Sequence, residues 1–194
     1  MKYLAELSAV EAKQHFLKSS SYFKEDLPDY INFEPVLEGV AKVLAGGSYH
    51  SFCVSQPADL PEVNYNFISN KDGRFAWRPH ELMHPAIYVS LVNLMCEDVH
   101  WAAIAEKLTP SQNGVITCCS SPVVSTDLQT DQATQVKSWW HEVEQQSLRY
   151  SLAFSHLLHT DVTDCYGSVY THSIAWALHG KPLAKQSKGK DGLL

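Results

Sequence analysis

The sequence has no CxxC pair, no excess of basic charge and no apolar run approaching the roughly 18 residues that a membrane span requires. Each of these absences removes a class of function. The five cysteines, Cys53, Cys96, Cys118, Cys119 and Cys165, are odd in number and lack paired spacing, which argues against a disulfide framework or a zinc ribbon and for reduced thiols. The opening MKYLAELSAVEAKQHF carries charge where a signal peptide would have its apolar stretch, so a cytoplasmic protein with no membrane partner is expected. The formal net charge of -6 argues against a chain that holds nucleic acid over its whole surface, because phosphate binding is driven by Lys and Arg releasing counterions. Basic charge must act locally, at Lys71, Arg74 and Arg78 and again at Lys181, Lys185, Lys188 and Lys190. What is present is ordinary globular material: 194 residues, 45% hydrophobic and 19% charged, enough for one or two domains with a sizeable core.

Helix is expected from residue 7, with Ser8 as cap, Glu11 completing a capping box, and Val10, Phe16 and Leu17 as the apolar side. A second helix over residues 35–44 presents Val36, Leu37, Val40, Val43 and Leu44 before the Gly46-Gly47 stop. Residues 63–68 alternate like a strand, residues 70–73 read as a hairpin turn, and residues 74–78 return as a second strand. In RFAWR, Arg74, Ala76 and Arg78 share one face and Phe75 and Trp77 the other, which makes a basic ribbon or a charged, protected edge.

One helix is expected over residues 86–107, with Ile87, Leu91, Leu94, Met95, Val99, Trp101 and Ile104 inward. Residues 110–130 read as loop around one short strand, GVITCC. A long helix follows from residue 131 to about residue 157, with Val136, Trp140, Val143 and Phe154 inward, and Trp139 and Trp140 expected to pack rather than to stack on bases. A short apolar strand near residues 157–163 then ends in acidic residues. The helix in YTHSIAWALHG closes at Gly180 with Pro182 beyond, and residues 181–194 have few apolar anchors, as in a cut chain.

The chemistry concentrates in HTDVTDCYGSVY, residues 159–170. An Asp at the end of a strand supplies a fixed carboxylate for a hard cation such as Mg²⁺, the next carbonyl can be a second ligand, and the following turn can offer N–H groups to phosphates. In isolation such a DxxD reads as a helix cap or turn. Here Tyr166 follows Asp161 by five residues, and TDVTDCYGSVYTHSIAWALHGK resembles the first catalytic motif of bacterial reverse transcriptases of the antiphage-defence, abortive-infection kind. SSSYFKEDLPDY, HELMHPAIYVSLVNLM and SWWHEVEQQS are similar to the N-terminal half of the same family, so the resemblance covers most of the chain.

The resemblance implies a helix-rich α/β fold: residues 1–150 an N-terminal helical region with fingers, residues 151–194 the start of an incomplete palm. It implies RNA-directed DNA polymerase chemistry with Mg²⁺ (or Mn²⁺), in which Asp161 is catalytic and ligates both metals and the Val162 carbonyl ligates the nucleotide metal. Asp164 and Cys165 would offer backbone N–H groups to the triphosphate, and Tyr166 would close against the sugar and select deoxynucleotides. KDGRFAWR resembles the fingers hairpin, with Arg78 over the incoming nucleotide and Lys71 and Arg74 as further triphosphate or template contacts. The implied partners are an RNA template, a DNA or protein primer, a deoxynucleoside triphosphate and a C-terminal polymerase half, with a noncoding RNA as a further candidate.

A competing motif, HExxH, spans residues 80–84 and on a helix would present two zinc-binding histidines and a general base. Pro85 biases His84 out of helix, and no third ligand is evident. His156, His159, His172 and His179 follow no recognised metal spacing, and Cys165 lacks a paired base. After Asp161 the only aspartates are Asp164 and Asp191, neither in a YxDD-type hairpin, so the two-metal site has one wall. Two readings stand: the first part of a polymerase that needs its remainder, and a binding module that keeps the fingers without the chemistry.

Overall fold

A computed structural model describes residues 2–23, 30–51, 62–70, 77–109, 117–125, 131–162, 165 and 168–186. Within these residues the fold is mixed and helix-rich, with one small two-stranded sheet. A 3-10 turn, Leu4–Glu6, leads into α1 (Ala9–Phe16), α2 (Ser19–Tyr22) and α3 (Glu34–Leu44). The hairpin β1 (Tyr65–Asn70) and β2 (Trp77–Leu82) follows, then α4 (Pro85–Met95), α5 (Asp98–Leu108), α6 (Asp131–Ser151), α7 (His172–His179) and α8 (Lys181–Gln186).

The capping box that the sequence announces forms as expected: the Ser8 hydroxyl accepts from the Glu11 amide, and the Glu11 carboxylate accepts from the Ser8 amide at 2.8 Å. The buried side of α1 is Ala9, Ala12 and His15, while Val10 faces solvent. That side of the helix packs on α4 and α5. In α3, Leu37 and Leu44 are buried and Val36 and Val43 are exposed, and the left-handed turn that ends the helix begins at Ala45, ahead of Gly46.

The expected single helix over residues 86–107 is two. The Cys96 amide still closes α4 on the Val92 carbonyl, after which Glu97 leaves the helical region and caps α5. The inward face of α4 is Val89, Val92 and Asn93. At about 100° per residue Leu91 and Leu94 fall on the opposite side, and both are exposed. Val99 is exposed as well, whereas Trp101 is buried as expected.

Among the described residues two apolar clusters form the core. Leu4, Leu7, Ala9, Ala12 and Trp101 gather Phe16, Cys96, Ile104 and Val124 around them; Leu37, Leu44 and Val89 gather Tyr22, Phe33, Tyr49 and Tyr88. Burial pushes the Cys96 thiol up to about 11, so it stays protonated at neutral pH.

The strand expected in GVITCC is not seen at residues 117–119; its first residues lie outside those described. Extended pairing occurs further on, where Val123 bridges Tyr3. The Gln135 side chain of α6 clasps both backbone groups of Val123, accepting from its amide at 3.0 Å and donating to its carbonyl at 2.5 Å. α6 therefore seats through a polar stripe: Ser138 is buried and Gln135, Glu142 and Gln146 are half-buried. Val136 and Trp140, expected inward, are exposed, and Val143 is half-buried. The helix also stops at Ser151, short of residue 157, and leaves Phe154 outside it and exposed. Trp139 packs edge-on against Trp140 rather than into a core. Among the described residues no helix is long and apolar enough to cross a membrane.

Candidate functional site

The hairpin is antiparallel, with Tyr65 opposite Leu82, Phe67 opposite His80, and Ser69 opposite Arg78. Its return strand starts at Trp77 and runs four residues beyond the expected end at Arg78; residues 71–76, including Lys71 and Arg74, lie outside the described residues. Alternation places Tyr65, Phe67, Ser69, Arg78, His80 and Leu82 on one face, and Ile68, Trp77 and Pro79 on the other. Arg78 and Trp77 are thus on opposite faces, as the sequence pattern required. Both are exposed, so Trp77 gives the ribbon no apolar core.

Among the described residues two devices anchor this hairpin to the helical body. Phe67 stacks on His80 at 4.9 Å with an interplanar angle of 11° and leans on Phe23, just past α2, at 5.8 Å. At the base, the Asn64 amide donates to Glu81 at 2.6 Å while its carbonyl oxygen accepts from the His84 backbone at 2.9 Å. Sequence reasoning missed Asn64, whose one visible signal is an Asn immediately before a strand.

These contacts also decide the geometry of the HExxH stretch. His80 and Glu81 lie on β2 and point to opposite faces, and the His84 ring accepts from the Ala86 amide at 3.2 Å as the N-cap of α4. Pro85, the first residue of α4, forces that boundary. The shared helical face that zinc hydrolase chemistry needs from these residues is not formed.

The second part of the site is the run into Asp161. The expected strand at residues 157–163 does not form over its described residues, 157–162. Leu157 is 76% exposed, Leu158 87% and Val162 62%, values that belong to open chain and not to a buried strand. The apolar run reads as strand in sequence, but the described sheet contains only β1 and β2, and neither pairs with it. The Asp161 carboxylate is exposed and accepts from the Val162 amide at 2.7 Å. Cys165 is exposed; Asp164 and Tyr166 lie outside the described residues.

Beyond this run, α7 begins at His172 and closes at Gly180, whose φ of 80° suits glycine, as the sequence indicated. Pro182 does not end the chain's helical structure, because it falls at the second position of α8, where a missing amide N–H costs nothing.

At this point of the chain the donors among the described residues are the Asp161 carboxylate and the neighbouring Val162 carbonyl. Among the described residues no group of three His, Cys, Asp or Glu side chains is gathered in a way that could hold a metal ion. Hard oxygen donors of this type suit Mg²⁺ or Mn²⁺, but two of them cannot saturate one such ion, and still less two. The hairpin is held by Phe23, Asn64 and the start of α4. No family model matches the chain, and no curated protein matches it.

Proposed function

We propose that this chain is the fingers and first palm segment of an RNA-directed DNA polymerase of the antiphage-defence kind, and that it performs nucleotidyl transfer only together with a second pair of catalytic carboxylates. The observation that carries this reading is the stretch TDVTDCYGSVYTHSIAWALHGK, in which Asp161 is followed five residues later by Tyr166 and then by the α7 helix. Two structural features support it. Arg78 stands exposed on a hairpin fixed to the helical body, which suits a side chain that stacks on a base and pairs with phosphate. The Asp161 carboxylate stands exposed at the surface, where a metal ion and a nucleotide can reach it.

In this reading Asp161 and the Val162 carbonyl hold one side of a Mg²⁺ centre, and bound metal supplies activation of the primer hydroxyl and charge neutralisation at the triphosphate. Arg78 orients the nucleotide, and Tyr166 discriminates at the sugar. The test is primer extension with a labelled deoxynucleotide on an RNA template, by the chain alone and with a C-terminal polymerase half supplied. Synthesis is expected only in the second case. Robust extension by residues 1–194 alone, or none with any supplied half, would sink the proposal.

A further inference from the structure

Residues 165–190 contain no Asp or Glu, against four lysines (Lys181, Lys185, Lys188 and Lys190) and two histidines (His172 and His179), in a chain whose formal net charge is -6. The described part of this stretch folds into α7 and α8, which pack on each other, with α7 also against α5. An aromatic ladder runs along it. Tyr170 stacks on His172 at 4.7 Å with an interplanar angle of 16°, Trp176 lies 5.6 Å from Tyr170, and the Lys181 ammonium sits 4.7 Å from the Trp176 ring centroid. Tyr170, His172, Lys181 and Lys185 are all exposed. Among the described residues Lys181 and Lys185 form no ion pair, whereas Lys2, Lys42 and Lys107 each face a glutamate.

We infer that the α7–α8 face binds single-stranded nucleic acid, with Lys181 and Lys185 against phosphates and the Tyr170–His172 stack extended by a base. Cationic side chains free of carboxylate partners beside an exposed flat π-stack are what a flexible, sequence-tolerant strand requires. A duplex offers its bases only at groove edges, where an open stack finds no face. An anionic lipid surface uses the charge and accepts single aromatic rings at its interface, but it offers no planar group to extend a face-to-face stack. The inference deepens the polymerase reading and rests on it for the identity of the ligand. Its measurement involves no synthesis, so failure of binding and failure of polymerase activity are separate results.

The experiment is fluorescence anisotropy of labelled oligouridylate and oligothymidylate with the whole chain across a salt series. Lys181→Gln/Lys185→Gln is expected to weaken binding and to flatten the slope of log affinity against log salt by about 1.4, at about 0.7 for each single-strand phosphate that a lysine no longer neutralises. Tyr170→Ala should weaken binding by about tenfold to a hundredfold, while Tyr170→Phe keeps it. Lys42→Gln, which removes an exposed lysine of α3, should change little. Circular dichroism checks the fold of each variant; if Tyr170→Ala unfolds, the exposed lysine pair still decides. Absence of binding by the unaltered chain, an unchanged salt slope in the double variant, an equal loss in Lys42→Gln, or displacement of the oligonucleotide by anionic phospholipid vesicles would each overturn the inference.

Discussion

The Trp101 indole N–H donates to the Leu7 carbonyl at 2.7 Å inside the core, tying α5 to the chain's first turn. The bond spans 94 positions of sequence, and the ring also meets Phe16 edge-on at 5.9 Å. Trp101→Phe keeps most of the apolar volume but leaves a buried carbonyl without its donor, a loss of about 1–3 kcal/mol. Trp101→Ala adds a cavity and should cost about 3–5 kcal/mol. Urea unfolding of the two variants checks this, and equal stabilities for Trp101→Phe and the unaltered chain would show that the hydrogen bond contributes nothing.

The capping box of α1 is a source of pH dependence. Hydrogen bonds from the Ser8 amide and hydroxyl, and then the charge of Lys2, hold the Glu11 carboxyl below its ordinary 4.5. A carboxyl whose folded-state value is depressed stabilises the fold fully above its ordinary value, and the contribution is lost as pH falls through the lower folded one. Glu11→Gln should therefore be less stable than the unaltered chain at neutral pH, and the gap should close in acid. A gap that stays constant over that range would assign the effect to shape rather than charge.

Where one local rule decides, the sequence was readable: the Ser8–Glu11 box, the Gly180 stop, the existence of the hairpin and the break that Pro85 makes before α4. Where the decision rests with a distant partner, it was not. Leu91 and Leu94 look like core until Gly47 and Tyr49 are seen to take the other side of α4, through Asn93 and Ser90. The polar seating of α6 depends on Val123, twelve residues away from Gln135, and no periodicity announces it. Leu157 and Leu158 carry a strand's composition, but strands form by pairing, and among the described residues β1 and β2 pair only with each other. For the candidate site, the sequence placed Arg78 on the hairpin face opposite Trp77, but the Asn64 clasp that fixes the hairpin's base had no signal beyond an Asn beside a strand.

Arg78→Ala separates a ligand-binding role from a structural one. The side chain is exposed, and the contacts that fix the hairpin belong to Phe67, His80, Asn64 and Glu81. Thermal stability should stay within about 0.5 kcal/mol of the unaltered chain. In the reconstituted polymerase, loss of a phosphate-pairing arginine should weaken nucleotide binding by about 1.5–3 kcal/mol, read as a raised KM for the deoxynucleotide. A collapse of stability with KM unchanged would make Arg78 a structural residue.

Asp161→Asn is the sharpest test of the proposed chemistry, because the structure separates its fold from its charge. The carboxylate is exposed and accepts from the Val162 amide through one oxygen, at 2.7 Å. An asparagine carbonyl can accept the same bond, so the local turn and the overall stability should be kept. What the amide removes is the negative charge, and two dications a few ångströms apart repel each other strongly unless carboxylates lie between them. Reconstituted synthesis with Mg²⁺ or Mn²⁺ should therefore fall to background in Asp161→Asn while urea unfolding and circular dichroism stay unchanged. Asp161→Glu keeps the charge but displaces it by a methylene, so it should retain measurable synthesis at a reduced rate with the more accommodating Mn²⁺. Full activity in Asp161→Asn would move the metal centre away from this residue, and with it the catalytic role assigned to the whole stretch between His159 and Tyr170.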